Sequence, residues 1–286
     1  MTAMTTAFAP RGITVAQALL TLDDTENRRR WLNARATLDT LLNAGAVPII
    51  NENDSVATDE IRYGDNDRLA ARVAQMVGAD VLILLSDVDG LYTADPRKDP
   101  AATHIAELTE LTDAHEAMAG DINQNADLGS GGMVTKLAAA RIAQSAGCST
   151  VITLGTHDRP ISKLLNGGRA TWILSELTPD KAREIWLKGH LTPEGAVIID
   201  NGARSALLDG ASLLPVGVTR IEGQFLRGAA VAIKDQDGKT IAKGITAYSS
   251  EDAGRIAGLQ SDRIEQELGY RGRPALVHRN DLVLER

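Results

Sequence analysis

Two short, uninterrupted apolar runs, Val47-Pro48-Ile49-Ile50 and Val81-Leu82-Ile83-Leu84-Leu85, each follow a stretch of helical periodicity that stops at a glycine. Such runs are too short for helices, and apolar chains without polar alternation suit strands of a parallel sheet covered on both faces. The first intervening helix is predicted from about Glu26 to Asn43, with Trp31, Leu38, Leu41 and Leu42 on one face and Gly45 behind it. The second is predicted from about Asp65 to Val77, with Leu69, Val73 and Val77 at helical spacing and Gly78 behind it. Glycine tolerates the left-handed conformation that commonly ends a helix. Around these lie a short strand, Ile13 to Leu20, an acidic turn at Asp23-Asp24, a helix from Thr135 to Ala146 and a strand from Thr150 to Thr153. Helices alternating with buried strands predict an α/β sandwich with a mostly parallel sheet.

The pattern changes after Trp172-Ile173-Leu174. Residues 176–192, with Thr178-Pro179-Asp180 and a short basic amphipathic stretch, read as a linker between a domain at 1–175 and another at 193–286. In the latter, Gly195 to Asp200, Ala229 to Ile233 and the turn Asp235-Gln236-Asp237-Gly238 indicate a small β-rich domain, Asp-Gly being a hairpin signal.

Composition narrows the function classes. Residues 1–192 carry 18 basic against 25 acidic side chains and residues 193–286 carry 12 against 13, so neither half has the basic excess of a non-specific nucleic-acid binder. A single cysteine, Cys148, rules out an intramolecular disulfide and fits a reducing compartment as a small core residue. The histidines show no HxxxH or HxH spacing, and no protein-ligated metal is expected. No basic segment precedes the apolar residues of the first twenty positions, which Pro10-Arg11-Gly12 interrupt, and no run approaches a membrane span. The expectation is a cytoplasmic protein without a membrane partner.

Chemistry concentrates in three places. Asn51-Glu52-Asn53-Asp54 closes the first apolar run, and Gly64-Asp65-Asn66-Asp67 opens the following helix. Ligands of parallel sheets bind beyond the carboxyl ends of the strands, where these amides and carboxylates, with a helix N-terminus, could hold both an amino group and a carboxylate. The alternative is a solvated turn and a helix cap. The third place is Leu128-Gly129-Ser130-Gly131-Gly132-Met133-Val134-Thr135-Lys136, in which glycines allow close approach of backbone N–H groups to phosphate and the helix dipole favours anions. It lacks the Walker A order, and alone it would equally be a flexible connection.

Taken together, Ser86-Asp87, the segment Asp89 to Arg97 and Gly-Ser-Gly-Gly-Met-Val-Thr-Lys resemble the nucleotide half of the amino acid kinase family. Asn51 to Asp54, Gly64 to Asp67 and Trp31-Leu32-Asn33-Ala34-Arg35 narrow the resemblance to its glutamate 5-kinase group. Residues Gly210 to Val218 and Gly223 to Gly228 resemble the PUA domain appended to many bacterial members. The resemblance implies an amino acid kinase αβα sandwich plus a small β-rich PUA domain, and ATP-dependent phosphorylation of the L-glutamate γ-carboxylate, the first step of proline biosynthesis. It implies Lys136 and Asp67 as catalytic residues, with Lys136 neutralising charge on the phosphoryl group and Asp67 orienting phosphate-binding lysines. It assigns Asp54 and Asn66 to glutamate, and Ser86, Asp87, Ser130, Gly131, Gly132, Met133, Val134, Thr135 and Lys136 to ATP, with Mg²⁺ carried on the nucleotide. Proline as feedback inhibitor, with Asp23-Asp24 either near that site or only capping the helix of Trp31, and a homo-oligomer are further implications.

The sequence departs from the family at its start. Members begin with a Lys-x-Gly phosphate loop and a Ser-Ser-Gly-Ala-like loop, neither of which is present. The expectation is that two strand-helix units, roughly 60 to 90 residues at about 30 per unit, are missing before residue 1. That would remove a second phosphate-neutralising lysine and part of the glutamate pocket, leave strand edges unpaired and make the chain poorly active alone. Another amino acid kinase, acting on acetylglutamate, aspartate or a nucleotide, is a second reading. An RNA-binding or regulatory fragment acting through the PUA-like domain is a third, for which the charge gives little support.

Overall fold

The computed structural model describes residues 1–53, 66–122 and 132–285. It divides into two compact units, Met1–Ala182 and Arg183–Arg286.

The first unit opens with α1 (Thr2–Phe8), for which the sequence pattern gives no sign, and continues through β1 (Val15–Leu20), α2 (Leu22–Glu26), α3 (Arg28–Asn43) and β2 (Val47–Glu52). The expected acidic turn is the short helix α2. Thr21 accepts a hydrogen bond from Asp24 N, and the Asp24 carboxylate accepts one from Thr21 N, a reciprocal cap that also makes Asp23-Asp24 first-turn residues. Asn27 caps α3 by accepting from Arg29 N and Arg30 N. The buried face of α3 is Leu32, Arg35 and Leu38, whereas Leu42 is exposed. After α4 (Asn66–Val77) and β3 (Val81–Ser86) come β4 (Leu91–Tyr92), β5 (His104–Ile105), β6 (Glu107–Leu108), α5 (Asp113–Ile122), α6 (Met133–Ser145), β7 (Ser149–Leu154), α7 (Pro160–Leu165) and β8 (Ala170–Ile173). The segment read as a linker contains α8 (Pro179–His190), inside which the boundary between the units falls.

Among the described residues of the first unit strand pairing is mixed, with three parallel pairs against two antiparallel. A four-stranded sheet has the order β3-β7-β8-β6, with β3 parallel to β7, β7 antiparallel to β8 and β8 parallel to β6. Among the described residues β1 and β2 form a separate parallel pair, and β4 and β5 a small antiparallel one. Helices cover both faces of the larger sheet. Leu84, Ile152 and Ile173 pack on one side with Ala71 and Ala74 of α4, Ala119 of α5, and Leu137, Ala139, Ala140 and Ala143 of α6, while Val151 packs on the other with Leu164 of α7.

One expectation fails here: β3 is not covered on both faces. Among the described residues it is an edge strand of its sheet, and Val81 and Leu85 are 42% and 47% exposed. β2 is likewise only half-buried along its apolar part. A continuous apolar run reports what a strand can bury; which strands become edges is set by pairings far away in the chain.

The second unit is built on a five-stranded sheet, β10-β9-β11-β12-β13, formed by β9 (Gly195–Ile199), β10 (Val218–Glu222), β11 (Ala230–Lys234), β12 (Thr240–Thr246) and β13 (Val277–Leu284). The Asp-Gly signal is the β11–β12 hairpin, closed by Asp235 Oδ1 accepting from Lys239 N at 2.9 Å. Helices α9 (Asn201–Leu208), α10 (Ser250–Ile256) and α11 (Ile264–Leu268) complete the unit, and Leu207, Ile256 and Ile264 from them join Val197, Ile199, Val231, Ile233 and Val277 in its core.

Candidate active site

Helix direction brings the two acidic and basic first turns together. α6 leads into β7 through the short turn 146–148, and α4 leads into β3 through 78–80, so each helix runs back along its strand. The 13 residues of α6 span about 20 Å at 1.5 Å each. The six residues of β7 span about the same length at 3.3 Å each. The N-termini of α4 and α6 therefore lie level with the carboxyl ends of β3 and β7, the end at which ligands of such sheets bind.

Small side chains then let the helices approach. Asp67, Ala71 and Ala74 repeat along one face of α4, and Lys136, Ala140 and Ala143 along one face of α6, with the four alanines buried where the helices meet. Because the alanines add no bulk, the polar residues one turn further out are in contact. Lys136 Nζ donates to Asp67 Oδ2 at 3.2 Å, and Thr135 Oγ1 lies 2.7 Å from the same oxygen and 2.8 Å from Gly132 O. The single hydroxyl proton of Thr135 can serve one of these two acceptors at a time. The Lys136 side chain is 8% exposed and that of Asp67 17%, so the pair is largely shielded from water.

Gly132 stands at the N-cap of α6 and no side chain caps it. Among the described residues no cap side chain therefore occupies the first-turn amides around Met133, Val134 and Thr135, and with Lys136 behind them they form a positive helix end suited to phosphate. Asn66 is exposed at the start of α4, next to Asp67. Asp54, Ser130 and Gly131 lie outside the described residues.

Ser86 and Asp87 mark the carboxyl end of β3. Ser86 O accepts from Gly155 N at 2.7 Å, extending the β3–β7 ladder by one bond, and Ser86 Oγ donates to Asp87 Oδ1 at 3.1 Å. Beyond them, Tyr92 OH donates to Asp89 Oδ1 at 2.8 Å and accepts from Arg169 at 3.2 Å. Burial, reinforced by Asp89, pushes the Tyr92 phenol up. The Arg97 guanidinium bonded to the carboxylate holds Asp95 below the usual carboxylate range. Tyr92 packs edge-on against His104 at 5.3 Å, and burial, followed by the positive charge of Arg169, pushes His104 down. The structure thus joins Asp67, Thr135 and Lys136 directly, and Ser86 to Asp87 separately. Sequence reasoning gives no sign of His104, Arg169 or the β8 residue Thr171 beside this loop, because they belong to segments whose local pattern carries no motif.

Comparison with known proteins identifies the family of each unit. The profile described as "Amino acid kinase family" matches residues 1–153, and the one described as "PUA domain" matches residues 195–268. A glutamate 5-kinase of Caulobacter vibrioides is 57% identical over 284 residues, covering 99% of this chain and 75% of that protein. One from Paramagnetospirillum magneticum is 58% identical over 279 residues, covering 98% of this chain and 75% of the relative. Another, from Rhodospirillum rubrum, is 56% identical over 280 residues, covering 98% and 74%. With the paired first turns of α4 and α6, this identity over nearly the whole length places the chain in the glutamate 5-kinase group of the amino acid kinase family.

Proposed function

We propose that this chain transfers the γ-phosphoryl group of ATP to the γ-carboxylate of L-glutamate, giving glutamyl 5-phosphate, the first step of proline biosynthesis. The observation that carries the reading is the Asp67–Lys136 contact at the shared end of two helices, in a chain 57% identical to a named glutamate 5-kinase. A side-chain carboxylate of reference pKa about 4.3 is already ionised at neutral pH, so the nucleophile requires no general base. A carboxylate oxygen forms the new bond to phosphorus as the bond to the β,γ-bridging oxygen breaks, and ADP leaves with the electron pair. Catalysis then rests on alignment and on neutralising charge at the transferring group.

Lys136 supplies that charge and Asp67 fixes its direction, with Thr135 sharing the carboxylate oxygen. The amides of α6 and the stretch Ser130 to Lys136 cradle phosphate, and Ser86 and Asp87 border the nucleotide. Asp54 and Asn66 hold glutamate. The metal would enter as part of the substrate, Mg·ATP, where it would offset phosphate charge. Proline competing at or over the glutamate site, a homo-oligomer and a cytoplasmic location are consistent extensions of the same reading. Among the described residues no helix is long and apolar enough to cross a membrane.

The test traps the acyl phosphate. With Mg·ATP, glutamate and hydroxylamine, γ-glutamyl hydroxamate should form in step with ADP, and Lys136→Met should lower its rate by at least about a hundredfold, the scale of losing a group that stabilises transition-state charge. ADP release indifferent to glutamate, or an undiminished Lys136→Met variant, would overturn the assignment.

A further inference from the structure

We propose that Thr171, on a strand remote from the nucleotide-binding segments, is a positioning residue that sets the conformation of the loop Ser86 to Tyr92 and through it the affinity for ATP. The inference rests on the reading of Ser86 and Asp87 as nucleotide contacts. At its start the loop is fixed by the β3–β7 ladder, in which Ser86 is opposite Leu154 and accepts from Gly155 N. Its far end is β4, which among the described residues pairs with β5 and has no backbone ladder to the four-stranded sheet. A buried hydroxyl of β8 bonds it to the sheet directly, alongside the core packing of Leu91 and the Tyr92–Arg169 hydrogen bond.

Thr171 is fully buried in β8. Its Oγ1 accepts from Leu91 N at 2.7 Å and donates to Ile105 O at 2.6 Å, so it bridges both strands of the β4–β5 pair at the position where Leu91 and Ile105 face each other. A hydroxyl has one proton and two lone pairs. The proton is committed to Ile105 and one lone pair to Leu91. His104 Nε2 lies 3.5 Å away, where it can donate to the remaining lone pair in the tautomer that carries the proton on that nitrogen.

The adjoining Gly90 closes the arrangement. Its φ is +148°, a region glycine favours, and a Cβ there would stand 2.6 Å from both Thr171 Oγ1 and His104 Nε2. The chain therefore lies directly on the Thr171 hydroxyl and the His104 ring, and the loop that carries Asp87, one residue beyond Ser86, is anchored at both ends. Without the hydroxyl, the buried Leu91 N–H and Ile105 C=O lose their shared partner, and each must shift to find another.

The experiment measures Mg·ATP binding by titration calorimetry, which reports affinity and the binding-competent fraction separately and does not require turnover. Thr171→Val keeps the branched shape and removes the hydroxyl. The expected result is a Kd about three- to tenfold weaker at unchanged stoichiometry, the scale of one net hydrogen bond, with Thr171→Ser within about twofold of the parent. If Thr171→Val does not fold, Thr171→Cys, whose thiol is a weak donor and acceptor, replaces it with the same expectation. A Kd within about twofold of the parent, with only stoichiometry or melting temperature lowered, would overturn the positioning role. Asp87→Ala separates the two layers. If it leaves Kd unchanged, the nucleotide assignment of the loop fails and the inference with it. If it weakens binding while the Thr171 variant does not, the positioning inference alone fails.

Discussion

Replacing Asp67 by Asn tests whether the buried ion pair is an energetic unit. The substitution keeps the shape and an acceptor for Thr135 Oγ1, and removes the negative charge 3.2 Å from Lys136 Nζ. Removing one partner of a fully buried pair costs about 3–5 kcal/mol, and exposed pairs are worth about 0–1 kcal/mol. With side-chain exposures of 8% and 17% the pair lies near the buried limit, with some water reaching Asp67, so a loss of about 2–3 kcal/mol is expected. At about 2–4 °C per kcal/mol for a unit of this size, the melting midpoint of the first unit should fall by about 4–12 °C. Urea denaturation of the parent, Asp67→Asn, Lys136→Met and the double variant provides the assay. The double variant should be less destabilised than the two single losses combined, by at least about 1.5 kcal/mol, because once Asp67 is neutral no ion pair remains for Lys136→Met to break. Additivity within about 0.5 kcal/mol would refute the coupling, and with it the argument that Asp67 fixes the direction of the lysine.

Gly90→Ala should destabilise the first unit by about 2 kcal/mol or more, since the added Cβ meets Thr171 and His104 at 2.6 Å in a backbone region unfavourable to alanine; equal denaturation midpoints would contradict the close approach. Cys148 is 1% exposed, and burial pushes its thiol up to about 11. At pH 8 its reaction with a thiol reagent should be about a hundredfold slower in the native protein than in urea from ionisation alone. The unfolded thiol ionises near 9.0 and the folded one near 11, so the unfolded state loses its proton first. This contribution therefore destabilises the fold as pH rises between those values and is absent below them, which denaturation midpoints for the parent and Cys148→Ala across that range would show.

Much of the fold is legible in the sequence because its signals are local. The periodicity behind Gly45 and Gly78 gave helices ending at Asn43 and Val77, the Asp-Gly pair gave the β11–β12 hairpin, and Cys148 beside a strand was indeed core. The acidic turn at Asp23-Asp24 is a helix because the reciprocal cap of Thr21 and Asp24 organises it, and the stretch read as a linker contains α8. The exposure of Val81 and Leu85 was not legible, since it depends on which strands flank β3.

The sequence by itself determined which residue types stand at strand ends and in the first turns of helices, and with them the family: Asn66-Asp67 opening one helix and Gly132 to Lys136 opening another, in a chain alternating strands and helices. Only the tertiary structure decided that Asp67 and Lys136 touch, because that requires two helices, 69 positions apart at the contact, to be held closely along faces of buried alanine. The same holds for Thr171, whose hydroxyl gains its role from Leu91 and Ile105. Short-range patterns encode helices, strands and caps; a polar side chain far away in sequence becomes a partner only when packing removes water from around it and leaves it one place to bond.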